Sequence, residues 1–248
     1  MHEASLQDDN CFITLTYDEE NLPVNESLDI THFQKFMKRL RKHYRPKKIR
    51  FYHCGEYGEE LRRPHYHALL FNHEFTDLIY WKEQNGNHLY TSPTLDKLWG
   101  KGQCIIGDVT FDSAAYVSAY ILKKQTGESA QEHYEHVTRY AQTTQLTPEY
   151  TTMSRRPGIG RAWYEKYKQE VYPDNFIIVN GKKQMPPKYY QQFLEEESEQ
   201  QFKQLKKEGR RLRKKNESNN TPERLTVRER CAQAKINLKT RQIEEHRQ

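Results

Sequence analysis

Lys48-Ile-Arg-Phe-Tyr-His-Cys-Gly-Glu-Tyr-Gly-Glu-Glu-Leu-Arg-Arg-Pro-His-Tyr-His-Ala-Leu-Leu-Phe71 is the stretch from which the fold can be read. Lys48 to Cys54 is rich in aromatic and β-branched residues, Gly55 to Pro64 is polar and carries two glycines, and His65 to Phe71 is apolar again. Two strands joined by a turn, a hairpin, follow from that pattern. Strand side chains alternate, so His65 and His67 share one face. If the hairpin closes symmetrically about the Tyr57–Pro64 turn, Glu56 lies opposite His65 and Cys54 opposite His67, which brings Glu56 to the same face. A slip of one residue would present His53 instead. Two imidazoles and one carboxylate suit Mg²⁺ or Mn²⁺ acting on phosphate oxygens. The competing reading is two ordinary histidines on a half-exposed strand beside a solvated acid.

Working outward, Cys11-Phe-Ile-Thr-Leu-Thr-Tyr17 reads as a strand. Asp29 to Tyr44 reads as a helix, with Ile30, Phe33, Phe36, Met37 and Leu40 on one face and Asp29 or Thr31 as its cap. Its basic residues, Lys35, Lys38, Arg39, Arg41 and Lys42, read as a solvated face. Thr94 to Trp99 is a short helix, Gln103 to Val109 a strand and Ser113 to Lys124 a helix. The order β-α-β-β-α-β-α predicts an α+β fold of the ferredoxin-like or RRM-like kind, with an antiparallel sheet. Residues 1–127 are expected to form this domain. Residues 128–186 form an accessory segment: a loop at Met153 to Gly160, a helix near Ala162 to Glu170, and a small hairpin of Phe176–Asn180 and Lys182–Met185. Residues 187–248 form a charged tail, either helical or disordered.

Composition agrees with one good core and a solvated remainder: 35% hydrophobic, 30% charged, net charge +6 in 248 residues, mean hydropathy −1.09. The basic balance suits a polyanionic partner. Four cysteines without a CxxC pair point to a reducing compartment. No apolar run approaches the roughly 20 residues that span a bilayer, and Met1 to Asn10 is not a signal peptide. The expectation is a soluble, cytoplasmic chain with no membrane partner. The absence of GxxxxGK[ST] argues against a P-loop helicase.

Tyr116-Val-Ser-Ala-Tyr120-Ile-Leu-Lys123-Lys124 is the second candidate site. Residues four apart share a helix face at about 6 Å of rise, so both phenols can approach one phosphate. Alone, such a pair reads as core packing with solvated lysines. The ordered set Phe12-Ile-Thr-Leu-Thr-Tyr17, His65-Tyr66-His67 and Tyr116-xxx-Tyr120-xx-Lys123 resembles the HUH endonucleases. It looks closest to the rolling-circle replication initiators of microviruses, the small icosahedral single-stranded DNA phages. The resemblance covers roughly residues 11 to 127.

That resemblance implies tyrosine attack on single-stranded DNA at a replication origin, a 5′-phosphotyrosine, a 3′-hydroxyl that primes synthesis, and rejoining of ends. It implies Tyr116 and Tyr120 as nucleophiles, Lys123 and Lys124 as helpers of the phenolate or leaving oxygen, and a metal on His65, His67 and Glu56. If the chain is viral, the setting is the host cytoplasm, with a host helicase and polymerase as further partners. Arg62, Arg63, Arg155, Arg156 and Arg161 are candidate phosphate contacts, and the basic run from Lys203 to Lys215 is another. Alternative readings are a single-tyrosine HUH transposase or plasmid relaxase, and a non-catalytic RRM-like module stacking bases on Tyr17, Tyr52 and Tyr66.

Overall fold

The computed structural model describes residues 1–58, 60–84, 86–119, 124–172 and 174–245, with side chains up to residue 235. It divides into two compact units, Met1–Gly160 and Arg161–Gln248. In the first unit, strands β1 (Asn10–Leu15), β2 (Arg50–Tyr57), β3 (Pro64–Phe71), β4 (Ile79–Gln84), β5 (Asn87–Thr91), β6 (Cys104–Gly107) and β9 (Tyr150–Met153) form one sheet in the order β4-β5-β6-β1-β3-β2-β9. Its pairings are all antiparallel. The central four strands, β6-β1-β3-β2, have the split βαβ arrangement: β3 inserts between β1 and β2, which helix α1 (Ile30–His43) connects. The predicted four strands are therefore present, and three more extend the sheet. Two-stranded β7 (Glu135–Val137) and β8 (Thr143–Gln145) stand apart from it.

The two faces of the sheet have different coverings. Cys11, Ile13 and Leu15 of β1 and Tyr66, Ala68 and Leu70 of β3 point toward α1 and α2 (Pro93–Trp99), where Phe33, Phe36, Met37, Leu40, Leu95 and Trp99 complete the main core. Asp29 caps α1 by accepting from the Thr31 amide at 2.8 Å. Ser92 caps α2 through the Leu95 amide at 3.1 Å, and Gly100 ends it with φ +62°. Not every arginine of α1 is merely solvated: Arg39 donates to the carbonyls of Leu98 and Trp99, satisfying the end of α2, and Arg41 donates to that of Ile49. At Gly102 a Cβ would come within 2.5 Å of the Asp18 amide nitrogen, so this close approach of two backbones requires glycine.

Helix α3 (Phe111–Ala119) covers part of the opposite face, where Val117 packs with Ala4, Cys54, Leu69 and Phe71. Thr110 and Ser113 exchange side chain–backbone hydrogen bonds of 2.8 and 3.1 Å at its start. Tyr17 and Tyr66 do not form the base-stacking platform required of an RRM-like module. Tyr66 is completely buried and Tyr17 nearly so, and their hydroxyls bond each other at 2.9 Å inside the core.

In the second unit, α5 (Arg161–Val171), the hairpin β10 (Ile177–Val179) and β11 (Lys182–Gln184), α6 (Lys188–Glu197) and α7 (Glu199–Lys215) surround a small core of Tyr164, Val171, Tyr172, Ile177, Tyr190 and Leu194. Helix α8 (Pro222–Glu245) follows. The tail beyond residue 187, open between helix and disorder in the sequence, is helical. No helix among the described residues is long and apolar enough to cross a membrane.

Two histidines of the first unit, His53 and His73, are fully buried. Neither ring nitrogen of His73 has a hydrogen-bond partner among the described residues, and the ring packs edge-on to Tyr44 and Phe75 at 4.4 and 4.6 Å. Burial, reinforced by the Lys47 charge, lowers its pKa from 6.5 to about 4. Below pH 6.5 the unfolded chain therefore binds a proton that the folded chain does not, and stability declines down to about pH 4. The decline reaches up to about 1.4 kcal/mol per pH unit for this residue. His73→Phe is expected to flatten the stability curve by that amount in denaturant titrations across this window; an unchanged slope would contradict the assignment.

Candidate active site

The β2–β3 hairpin pairs in the symmetric register: Tyr57 opposite Pro64, Glu56 opposite His65, Cys54 opposite His67. Alternation then puts His65, His67 and Glu56 on the face that bears α3, while His53 turns to the other face and stacks on Phe33 of α1 at 3.5 Å between ring centroids. Glu56 Oε1 lies 2.7 Å from His65 Nε2 and 2.8 Å from His67 Nε2. The Glu56 side chain is fully buried, and His65 and His67 are 16% and 6% exposed. Burial alone would push the Glu56 pKa up. Hydrogen bonds and charge from the two imidazoles outweigh it and bring the pKa down to about 2, so the acid is ionised.

The far side of each ring is also held. His67 Nδ1 is 2.9 Å from Thr14 Oγ1, and His65 Nδ1 is 3.2 Å from the Arg63 carbonyl oxygen. A carbonyl only accepts, so His65 carries a proton on Nδ1, and its Nε2 faces the carboxylate. Two imidazole nitrogens crowded onto one carboxylate oxygen need positive charge between them, as protons or as a metal cation. These three side chains offer ligand atoms within 4.8 Å of one another. The donor set fits a divalent cation, with the Nδ1 contacts fixing ring orientation as outer contacts of metal ligands do.

Phe12, on the same face of β1 as Thr14, stacks on the His67 ring (5.6 Å, 10° between planes). Tyr116 of α3 stands edge-on to both: its ring centroid is 5.2 Å from that of His67 and 6.4 Å from that of Phe12. The β1, β2–β3 and α3 motifs, separated in sequence, thus meet on one face. Tyr120 and Lys123 lie outside the described residues; Lys124 is exposed.

The arginines are less united. The Arg63 side chain pairs with Glu19 and donates to the Tyr17 carbonyl at 3.0 Å, and Arg62 donates to the His133 carbonyl at 2.8 Å. Arg155 and Arg156 are exposed. Arg161 belongs to the second unit, bound to Glu165 at 2.7 Å and stacked over Phe193 at 3.7 Å. Two contributors went unremarked in the sequence reading. Thr14 orients His67, and its position in β1, two residues from Phe12 on the same face, is the signal for it. Arg63 orients His65 through its backbone, which no side-chain pattern reveals.

Residues 10–125 match the family model of the replication-associated protein ORF2 group. Among curated proteins, the chain is 33% identical over 195 residues to Replication-associated protein VP4 of Bdellovibrio phage phiMH2K, covering 75% of this chain and 57% of that protein. It is 32% identical over 182 residues to Replication-associated protein ORF2 of Spiroplasma virus 4, covering 70% and 53%. With Replication-associated protein ORF4 of Chlamydia phage 1 it shares 33% identity over 139 residues, covering 49% and 32%. The chain thus spans just over half the length of the first two relatives. No solved structure matches it.

Removing the Thr14 hydroxyl frees the His67 ring. Thr14→Val is expected to weaken Mn²⁺ binding by about 10-fold or more, measured by isothermal titration calorimetry on protein whose circular dichroism is unchanged; equal affinity would contradict the orienting role.

Proposed function

We propose that this chain, whose residues 10–125 belong to the replication-associated protein ORF2 family, initiates rolling-circle replication of a phage genome by nicking single-stranded DNA at the origin. The observation that carries this reading is the Tyr116 ring 5.2 Å from the His67 ring, beside the Glu56–His65–His67 cluster. The phenol oxygen of Tyr116 or Tyr120 attacks a DNA phosphorus. A tyrosine O–P bond forms and the P–O3′ bond breaks; the phenol proton passes to solvent, and O3′ takes up a proton to become a free hydroxyl. The other product is a 5′-phosphotyrosine.

Catalysis has to overcome a weak nucleophile. A free phenol has a pKa near 10, so only about 0.1% is phenolate at pH 7. Mg²⁺ or Mn²⁺ held by Glu56, His65 and His67 supplies, when bound, the charge that polarises the scissile phosphate. Glu56 contributes a buried negative charge that holds both imidazoles in place. Thr14 and the Arg63 carbonyl fix the ring orientations, and Phe12 shields one side of His67. Lys123 and Lys124 assist the phenolate or the leaving oxygen. Among the arginines, Arg155 and Arg156 remain candidate phosphate contacts by their exposure. With two tyrosines, one can cut the regenerated origin while the other holds DNA, and the released 3′-hydroxyl then attacks the first ester to close the circle. A host helicase and polymerase would complete replication in the host cell.

Tyr116→Phe combined with Tyr120→Phe is expected to abolish the covalent adduct on labelled single-stranded origin DNA while binding persists; an adduct band surviving on a denaturing gel would rule the assignment out. The single variants distinguish this reading from a one-tyrosine transposase or relaxase, in which one substitution alone removes all cleavage and the other none. His67→Ala is expected to lose Mn²⁺-supported nicking, and full cleavage by that variant in EDTA would contradict the metal role.

A further inference from the structure

Charge in this chain is segregated. Residues 203–215 hold eight basic side chains and one acid, a net of +7, against +6 for the whole chain, so the other 235 residues together sum to −1. These thirteen residues lie in α7, where Phe202 and Leu205 pack against the core of the second unit and every basic side chain is exposed. At about 100° per residue, Lys207, Arg210 and Lys214 fall within about 60° of one another, opposite Phe202 and Leu205, along about 10 Å of helix. The ion pairs of α7 sit in its first half, Lys203 with Glu199 at 2.6 Å and Lys206 with Glu195 at 4.0 Å. Lys207, Arg210, Arg211, Arg213, Lys214 and Lys215 make no ion pair among the described residues. Like charges on one helix face repel, and here no neighbouring acid relieves them.

We propose that the Lys207–Arg210–Lys214 face of α7 is a binding surface for the phosphate backbone of single-stranded DNA, contributing affinity rather than chemistry. The choice of DNA rests on the proposed function; the surface itself rests on the segregated charge. Evenly repeated cations on a rigid helix match evenly repeated phosphates, and releasing counterions from the strand supplies the driving force. Membrane insertion is disfavoured because Phe202 and Leu205, the residues such a helix would insert, are already packed in the core.

The test compares the full chain with two triple variants that lose the same charge: Lys207→Gln, Arg210→Gln, Lys214→Gln on α7, and Lys35→Gln, Lys38→Gln, Lys42→Gln on α1. Binding of a labelled single-stranded oligonucleotide is followed by anisotropy in EDTA across a salt series. Removing three contacting cations from α7 lowers the slope of log affinity against log salt by about 2, and the α1 variant keeps the parent slope. Equal slopes in all three proteins would overturn the proposal, as would equal losses in both variants, which would report net charge alone. A loss confined to phosphatidylglycerol vesicles, with DNA binding intact, would overturn it too. Adduct formation in Mn²⁺ at saturating oligonucleotide is measured in parallel and is unchanged in the α7 variant. If no protein forms adduct, the nicking function fails while the salt slope still judges the surface.

Discussion

One buried carboxylate oxygen, held between two imidazole nitrogens, is the interaction on which the first unit turns. An ionised acid without partners in such a place would cost several kcal/mol. Glu56 is tolerated because His65 and His67 surround it at 2.7 and 2.8 Å. That arrangement exists only in one register of the β2–β3 hairpin. A slip by one residue would turn Glu56 into the α1 core and bring His53 out of it, leaving charge buried on one side and removing a ligand from the other.

The sheet keeps these two demands apart by giving each face its own covering. Helices α1 and α2 close one face with a dense aromatic core, whose Tyr17–Tyr66 hydrogen bond also ties β3 to the segment after β1. Helix α3 lies on the other, bringing Tyr116 to the edge of His67. Thr14 and Phe12, two residues apart on β1, serve the same imidazole in different ways: one hydrogen-bonds its Nδ1, the other stacks on its ring. A rigid central strand thus fixes the orientation of a group whose chemistry tolerates little misplacement.

Much of this was readable from residue order. Strand alternation and the symmetric turn predict Glu56 opposite His65, and the helical period of residues 29 to 44 predicts the buried face of α1. The β4–β5 hairpin escaped because its outer strand is exposed, with Ile79, Tyr80 and Trp81 at 55%, 57% and 41%, so no buried alternation marks it. The Asn-Gly pair at 85–86 was nonetheless a usable turn signal. Strand β9 is four residues long and pairs only along one edge, too short for a periodic signature. The charged tail was ambiguous because its helices bury few apolar residues, and composition cannot separate such a helix from a disordered chain. Arg39 and Arg41 looked like surface charge because their roles depend on carbonyls brought near only by the fold.

The most direct measurement of the central claim is anomalous diffraction at the manganese edge from crystals of the full chain grown with Mn²⁺. The account predicts a single strong peak within bonding distance of Glu56 Oε1, His65 Nε2 and His67 Nε2. Manganese bound elsewhere, with the three side chains still bonded to one another, would contradict it.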